Sequence, residues 1–379
     1  MIPGYLIRFK ESIYMLLYNN LTTYPGDLWN FFVNYLERGL RYPPEYPAGL
    51  RFFYEIMGFR EYESYTAFFT VNALILGTFA LATTYLLYLI LRDQAKQTKT
   101  DDTASAKPDR FAGISKLWYF WILAPSFIFY GMINYDFPVV FLIVLAVYLF
   151  TKEKYYSAVF FLGVGMVVKV FPAFLLPIFI WRSPAKLRLK LILLFLVTVI
   201  LLNLPYALSD FQTWIYPYLW QISSNLTTGP SQYTYWWLVY PLTGKLTGWL
   251  SLVIFGSLYI FSSFKMRKAG FIEMCLVIII LFLLTDRVYS SQYNLYLLPF
   301  LVLTTYRVNK VNFYLIEILT FLIIFFCFFL KAHPVYLQTI VFVRYFALIW
   351  LLVSIMKQNS ITSGREATIS KVSAPTDES

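Results

Sequence analysis

Residues 181–208 read Trp181-Arg-Ser-Pro-Ala-Lys-Leu-Arg-Leu-Lys-Leu-Ile-Leu-Leu-Phe-Leu-Val-Thr-Val-Ile-Leu-Leu-Asn-Leu-Pro-Tyr-Ala-Leu208. The first ten residues hold four Lys or Arg, and the next eighteen hold no charge. An apolar run of that length is a membrane helix, and a basic flank marks its cytoplasmic end. The rest of the chain repeats the pattern. Its 379 residues are 59% hydrophobic and 21% aromatic, with 13% charged. A soluble domain carries about a quarter charged residues, so the composition excludes one. Mean hydropathy is +0.62. The fold class expected is an all-α polytopic membrane protein.

Apolar runs fall near 69–91, 117–133, 138–150, 155–168, 170–181, 191–208, 248–264, 271–285, 294–305, 311–330 and 338–356, eleven segments in all. Several are shorter than the roughly 20 residues that span a bilayer. Those at 155–168 and 170–181 read as broken or re-entrant, a geometry that needs protein or water around the exposed backbone. Trp236 to Leu242 belongs either to the seventh span or to the loop before it. Three regions result: 1–67, an outer-face segment; 68–356, the transmembrane domain; and 357–379, a disordered cytoplasmic tail rich in Ser, Thr, Lys and Asp. The loop at 93–115 reads as disordered and cytoplasmic too.

The net charge of +11 would suggest nucleic-acid binding in a soluble chain. Here positive-inside bias explains it, and no nucleic-acid partner is expected. Segments 92–116, 151–154, 182–190, 265–270, 306–310 and 357–379 hold 20 of the 31 Lys and Arg residues. They are assigned to the cytoplasm. Asp27, Glu45, Asp136, Lys169, Asp286, Arg287 and Lys331 then share the opposite face. A charge at mid-membrane depth costs about 2.5–3.5 kcal/mol on insertion scales, so such residues usually line a cavity or pair with one another.

Four stretches carry chemistry. In Tyr24 to Pro47, Asp27 stands where an N-cap belongs. Leu28, Phe31, Phe32, Tyr35 and Leu36 form one helical stripe, and Gly39 can stop the helix. On spacing alone a capped interfacial helix accounts for this stretch. In Asn134-Tyr-Asp-Phe-Pro138, Asp136 falls at the N-terminal end of a helix, favoured by its dipole, and Pro138 suits the first turn. A capped hairpin explains that motif as well as a functional site does. Gly163-Val-Gly-Met-Val-Val-Lys-Val-Phe-Pro172 strands Lys169 between apolar runs, with Pro172 breaking the helix. Snorkelling would explain a lysine on the basic side, but Lys169 lies opposite it, which favours a phosphate or carboxylate partner. In Thr285 to Pro299, Asp286 and Arg287 could neutralise each other, while Gln292, Tyr293 and their neighbours offer hydrogen bonds and stacking surface for a sugar or head group.

Other signals are weaker. The aromatic stretch at 209–247 is either an acceptor platform or a membrane-interface belt. Sequons occur at Asn20 and Asn225. Cys275 and Cys327 lie in apolar runs and suggest no structural disulfide. His333 is the only histidine, which argues against zinc or haem. Neither a Gly-rich phosphate loop nor a nucleophile elbow is present.

In order and sidedness, these motifs resemble the C-type membrane glycosyltransferases that use a polyprenyl-phosphate sugar donor. Closest are the polyprenyl-phosphomannose-dependent α-1,2-mannosyltransferases. The resemblance runs through Gly26-Asp27, Gly39, Tyr42-Pro43-Pro44, Asn134 with Asp136, Gly163 with Lys169 and Pro172, and Ser291 to Pro299. It departs in two places. Relatives usually have a helix before the first outer loop, where this chain has about twenty mixed residues, and they often carry a histidine where Gln292-Tyr293 stands.

The resemblance implies a hexosyltransferase, with mannose first among sugars and a lipid or glycan as acceptor. Transfer would occur on the non-cytoplasmic face with inversion at the anomeric carbon. Asp27 would be the base. Lys169 and Arg287 would hold the donor phosphate, which leaves as an anion and needs no acid. Asp136, Asn134, Glu45, Tyr42, Gln292 and Tyr293 would contact sugar or acceptor. Asp136 could instead share a divalent ion such as Mg or Mn, although so few carboxylates do not specify one. Membrane lipids are the other expected partners. A transporter or lipid-linked oligosaccharide flippase is the alternative, disfavoured because no internal repeat is evident. Convergence of Asp27, Asp136, Lys169 and Arg287 on one cavity would favour transfer chemistry.

Overall fold

A computed structural model describes residues 47–49, 52, 65–100, 115–130, 134–212, 214–215, 218–219, 230–231, 233–328 and 334–372. Among these residues there is no strand. We number the helices α1 (Tyr65–Thr100), α2 (Pro125–Tyr130), α3 (Asp136–Thr151), α4 (Tyr155–Val168), α5 (Leu176–Arg182) and α6 (Arg188–Ser209). They continue as α7 (Trp236–Thr243), α8 (Leu246–Lys265), α9 (Phe271–Thr285), α10 (Asn294–Leu303), α11 (Lys310–Phe328) and α12 (Pro334–Val372).

Where they are described, the expected apolar runs are mostly helical. The described part of the run at 117–133 is split into a π-helical turn, Trp118–Ile122, and α2. Length separates the helices into two kinds. Ala67–Lys96, Ala185–Ser209, Leu246–Lys265 and Tyr336–Ile361 are long and apolar enough to cross a membrane. The runs at Asp136–Thr151, Tyr155–Val168, Phe171–Arg182 and Phe271–Thr285 are apolar but shorter. Among the described residues, four helices therefore meet the length and composition criteria for a span, against eleven apolar segments in the sequence. Helix α12 continues to Val372 and α1 to Thr100, past the ends of their apolar runs.

Burial follows composition. Helices α9 and α10 are apolar on all sides and nearly all their residues are buried, which makes them the centre. Helix α6 instead leaves Leu189, Leu193, Leu196, Val197, Ile200 and Leu201 exposed, a surface suited to lipid. Around the centre, α3 packs on α1 and α4, α4 on α6, and α11 on α12.

Glycines set the close approaches. A Cβ on Gly163 would meet Thr198 Cγ2 at 3.1 Å, so α4 and α6 touch there through a missing side chain. Gly165 does the same for Pro172, at 3.2 Å from Pro172 Cγ. Helix α4 ends at Val168, Lys169 is extended (φ −146°, ψ 140°), and a 3-10 turn, Phe171–Leu175, leads into α5. The two runs read as broken are the halves of this interrupted helix. Trp236 to Leu242 forms the separate short helix α7, turned into α8 by Gly244 at φ +50°.

Candidate functional site

Two helix ends meet at the break. Asp136 is the first residue of α3, where the exposed amides favour an anion, and Pro138 lies in that first turn. Lys169 follows the last residue of α4, where the free carbonyls favour a cation. Its ammonium donates to Asp136 Oδ1 at 2.8 Å, and the Tyr296 hydroxyl of α10 donates to the same oxygen at 2.5 Å. The Asp136 side chain is fully buried and that of Lys169 is 15% exposed. Asp136 is thus the more deeply buried half of the pair.

An aromatic wall surrounds the pair. Phe171, in the 3-10 turn, stacks on Tyr296 with ring centroids 4.4 Å apart. Phe282 of α9 lies 4.8 Å from Phe171 and 5.8 Å from Tyr293, which in turn is 6.1 Å from Tyr296. Asn134 is buried beside Asp136, and its backbone N–H donates to the Tyr130 carbonyl at 3.3 Å. Tyr135 donates to Asn72 Oδ1 of α1 at 3.3 Å. The hairpin residues are therefore held from both sides.

The segment 286–293 carries the other sequence-derived residues. The Ser290 hydroxyl donates to Gln292 Oε1 at 2.5 Å. Arg287 is buried, and its carbonyl accepts from Ser231 N at 3.0 Å and Thr234 Oγ1 at 3.3 Å. Asp286, outside α9, accepts from Val288 N at 3.2 Å. Burial pushes its carboxyl up to about 6, an effect that the Val288 bond and the neighbouring Arg287 only partly offset.

So Asp136, Lys169 and Tyr293 are gathered on one wall, with Asn134 beside them. Arg287 lies at the far end of the segment, and the described contacts of the Asp136 pair do not include it. Asp27, Tyr42, Glu45, Lys331, His333 and both sequons lie outside the described residues. Just after Pro47 the chain comes close to the site. Gly49 lies so close to the end of α4 that a Cβ there would be 2.8 Å from Val167 C, Val167 O and Val168 N. That contact is one residue from Lys169.

The described partners of Asp136 are a lysine ammonium and a phenol, and among the described residues no group of three or more His, Cys, Asp or Glu could hold a metal.

Sequence reasoning missed three residues. Tyr296 lay within the late motif, but nothing local marks it as the partner of Asp136. Glu317 and Arg344 were legible, because each is a charge inside an apolar run, at 311–330 and 338–356. Both are almost fully buried.

The family model of glycosyltransferase family 87 matches residues 63–306, which is 244 of the 379 residues. That stretch contains Asp136, Lys169, Arg287, Gln292, Tyr293 and Tyr296. No curated protein matches the chain.

Proposed function

The chain belongs to glycosyltransferase family 87, and from that premise we propose that it moves a sugar, mannose first, from a polyprenyl-phosphate carrier to a lipid or glycan acceptor on the non-cytoplasmic face. The observation that carries this reading is the Lys169 ammonium, oriented by buried Asp136 and Tyr296 at a helix break and walled by aromatic rings. A lysine held in this way is a fixed point charge for a leaving phosphate. The adjoining rings suit the apolar face of a hexose.

A lipid-borne donor is supported by a second feature. An apolar groove of about 450 Å³ runs between α8, α9 and α12, lined by Leu258, Leu281, Leu284, Phe342 and Ile349. Tyr235 and Thr285 also line it, and Thr285 stands two residues before Arg287.

In the proposed reaction the acceptor hydroxyl oxygen attacks the anomeric carbon. Its proton passes to Asp27, and the bond from that carbon to the phosphate oxygen breaks with inversion. Lys169 and Arg287 balance the charge of the departing polyprenyl phosphate. Asp136 and Tyr296 act through Lys169, because Asp136 itself is buried. Gly49, packed against the end of α4, brings the chain close to Lys169 22 residues after Asp27.

The test uses purified protein in lipid nanodiscs, radiolabelled polyprenyl-phosphomannose and a panel of lipid and glycan acceptors. Transfer by the wild type, abolished in Asp27→Asn and reduced about a hundredfold or more in Lys169→Met, is the expected result. Undiminished transfer by Asp27→Asn would remove that residue as base.

A further inference from the structure

Two charges inside the C-terminal helices have no role in that reaction scheme, and both lie beyond the stretch that the family model matches. Glu317 of α11 and Arg344 of α12 are each 1% exposed. A charged side chain in an apolar span is costly and is retained where it is paired or functional. Neither makes an ion pair among the described residues, yet both are engaged.

Glu317 accepts from two donors. Oε2 takes the amide of Ser126 at 2.7 Å, at the start of α2, and Oε1 takes Asn294 Nδ2 at 2.7 Å. Asn294 in turn accepts from the Tyr289 hydroxyl. The ring of Tyr289 lies under the Arg344 guanidinium, 3.9 Å from ring centroid to Cζ. Arg344 then donates to the Tyr233 carbonyl. One continuous set of contacts therefore runs from α2 through α11, α10 and the 286–293 segment to α12.

The strip at 231–234 closes it, because Ser231 and Thr234 hold the Arg287 carbonyl. Arg344 clamps both strips at once, through Tyr233 on one and Tyr289 on the other. Asn294 directly follows Tyr293 and lies two residues before Tyr296. The two ends of the candidate site, Arg287 and Tyr293–Tyr296, are thus fastened to the same buried charges.

We propose that Glu317 and Arg344 are positioning residues, which fix the 286–294 segment and so the place of Arg287 relative to Lys169. The proposal rests on the transfer reading for its kinetic consequence but not for its structural one. A donor phosphate placed about 1 Å wrong loses around a hundredfold in rate, so small shifts of this segment are enough to matter.

The experiment has a kinetic and a structural arm, both on the full chain in nanodiscs. With polyprenyl-phosphomannose as donor, Glu317→Gln keeps one acceptor oxygen. It should lower kcat about tenfold while leaving the donor KM within about twofold. In an Arg287→Lys background the same change should cost clearly less than it does in the wild type, because part of what Glu317 does passes through Arg287. Losses that simply multiply would overturn the proposal.

For the structural arm, a nitroxide is placed at Val288, which is 45% exposed, and a control label at Val253 on the lipid face of α8. The background carries Cys275→Ala and Cys327→Ala. Arg344→Leu, or Arg344→Lys if the first does not fold, should increase label motion at Val288 about twofold or more and leave Val253 unchanged. Unchanged motion at Val288 in the folded variant would overturn the proposal. If the wild type transfers no sugar, the transfer reading falls, and label motion alone decides whether the network holds the segment.

Discussion

Asp136 and Lys169 form an ion pair with unequal burial, and the two halves should respond differently to mutation. Asp136→Ala leaves a mostly buried ammonium without this carboxylate, a change that typically costs about 3–5 kcal/mol. Lys169→Met leaves a carboxylate that still accepts from the Tyr296 hydroxyl, so its cost should be smaller. A double variant, Asp136→Leu with Lys169→Met, should recover part of the loss. Thermal unfolding midpoints in detergent check the order, and a smaller loss for Asp136→Ala than for Lys169→Met would contradict the pairing described.

Asp286 makes a separate prediction for pH. Its folded pKa, about 6, lies above the unfolded value of 3.8. The protonated form is therefore the one the fold prefers. Its contribution is fully present below about pH 3.8 and is lost as pH rises through about 6. Asp286→Asn should flatten the stability profile between those values, read as the midpoint across a pH series.

At the scale of elements, three glycines govern how helices approach. Gly163→Leu would push α4 from α6 at Thr198, and overpacking of this kind costs about 1–3 kcal/mol. Thr198→Ala in the same chain should return part of it. Gly49→Ala is the more informative change, because its Cβ meets backbone atoms of Val167 and Val168, which cannot swing aside. We expect sugar transfer to fall about tenfold or more as the backbone at Gly49 lifts from the Lys169 end of α4, with the melting midpoint barely moved.

These elements also show what a sequence can and cannot disclose. The helices were legible because long apolar runs in a membrane have few alternatives to helix. The break at Lys169 was legible because Pro172 cannot continue the i to i−4 ladder. The partner of Lys169 was not legible. Asp136 is 33 residues away, and only the register of α3 against α4 brings the two together. Tyr296 was hidden among eight other residues of its motif for the same reason. Glu317 and Arg344 announced themselves as charges in apolar runs, but their meeting through Asn294 and Tyr289 depends on four elements packing at once.

For the whole molecule, the distribution of Lys and Arg fixes an expected orientation. A C-terminal fluorescent-protein fusion should glow in a bacterial host, and an alkaline phosphatase fusion at the same point should be inactive. The opposite pattern would place the Lys169 end of α4 on the cytoplasmic side and redirect the search for donor and acceptor. Helix α12 adds a physical marker to that question. Its 39 residues make a rod about 58 Å long at 1.5 Å per residue. The hydrocarbon layer is only about 30 Å thick. Unless the rod tilts steeply, a good part of it stands clear of the disc on one face. In electron images of a nanodisc such a spike breaks the resemblance between top and bottom, so each particle carries its own pointer to the side its C-terminus occupies.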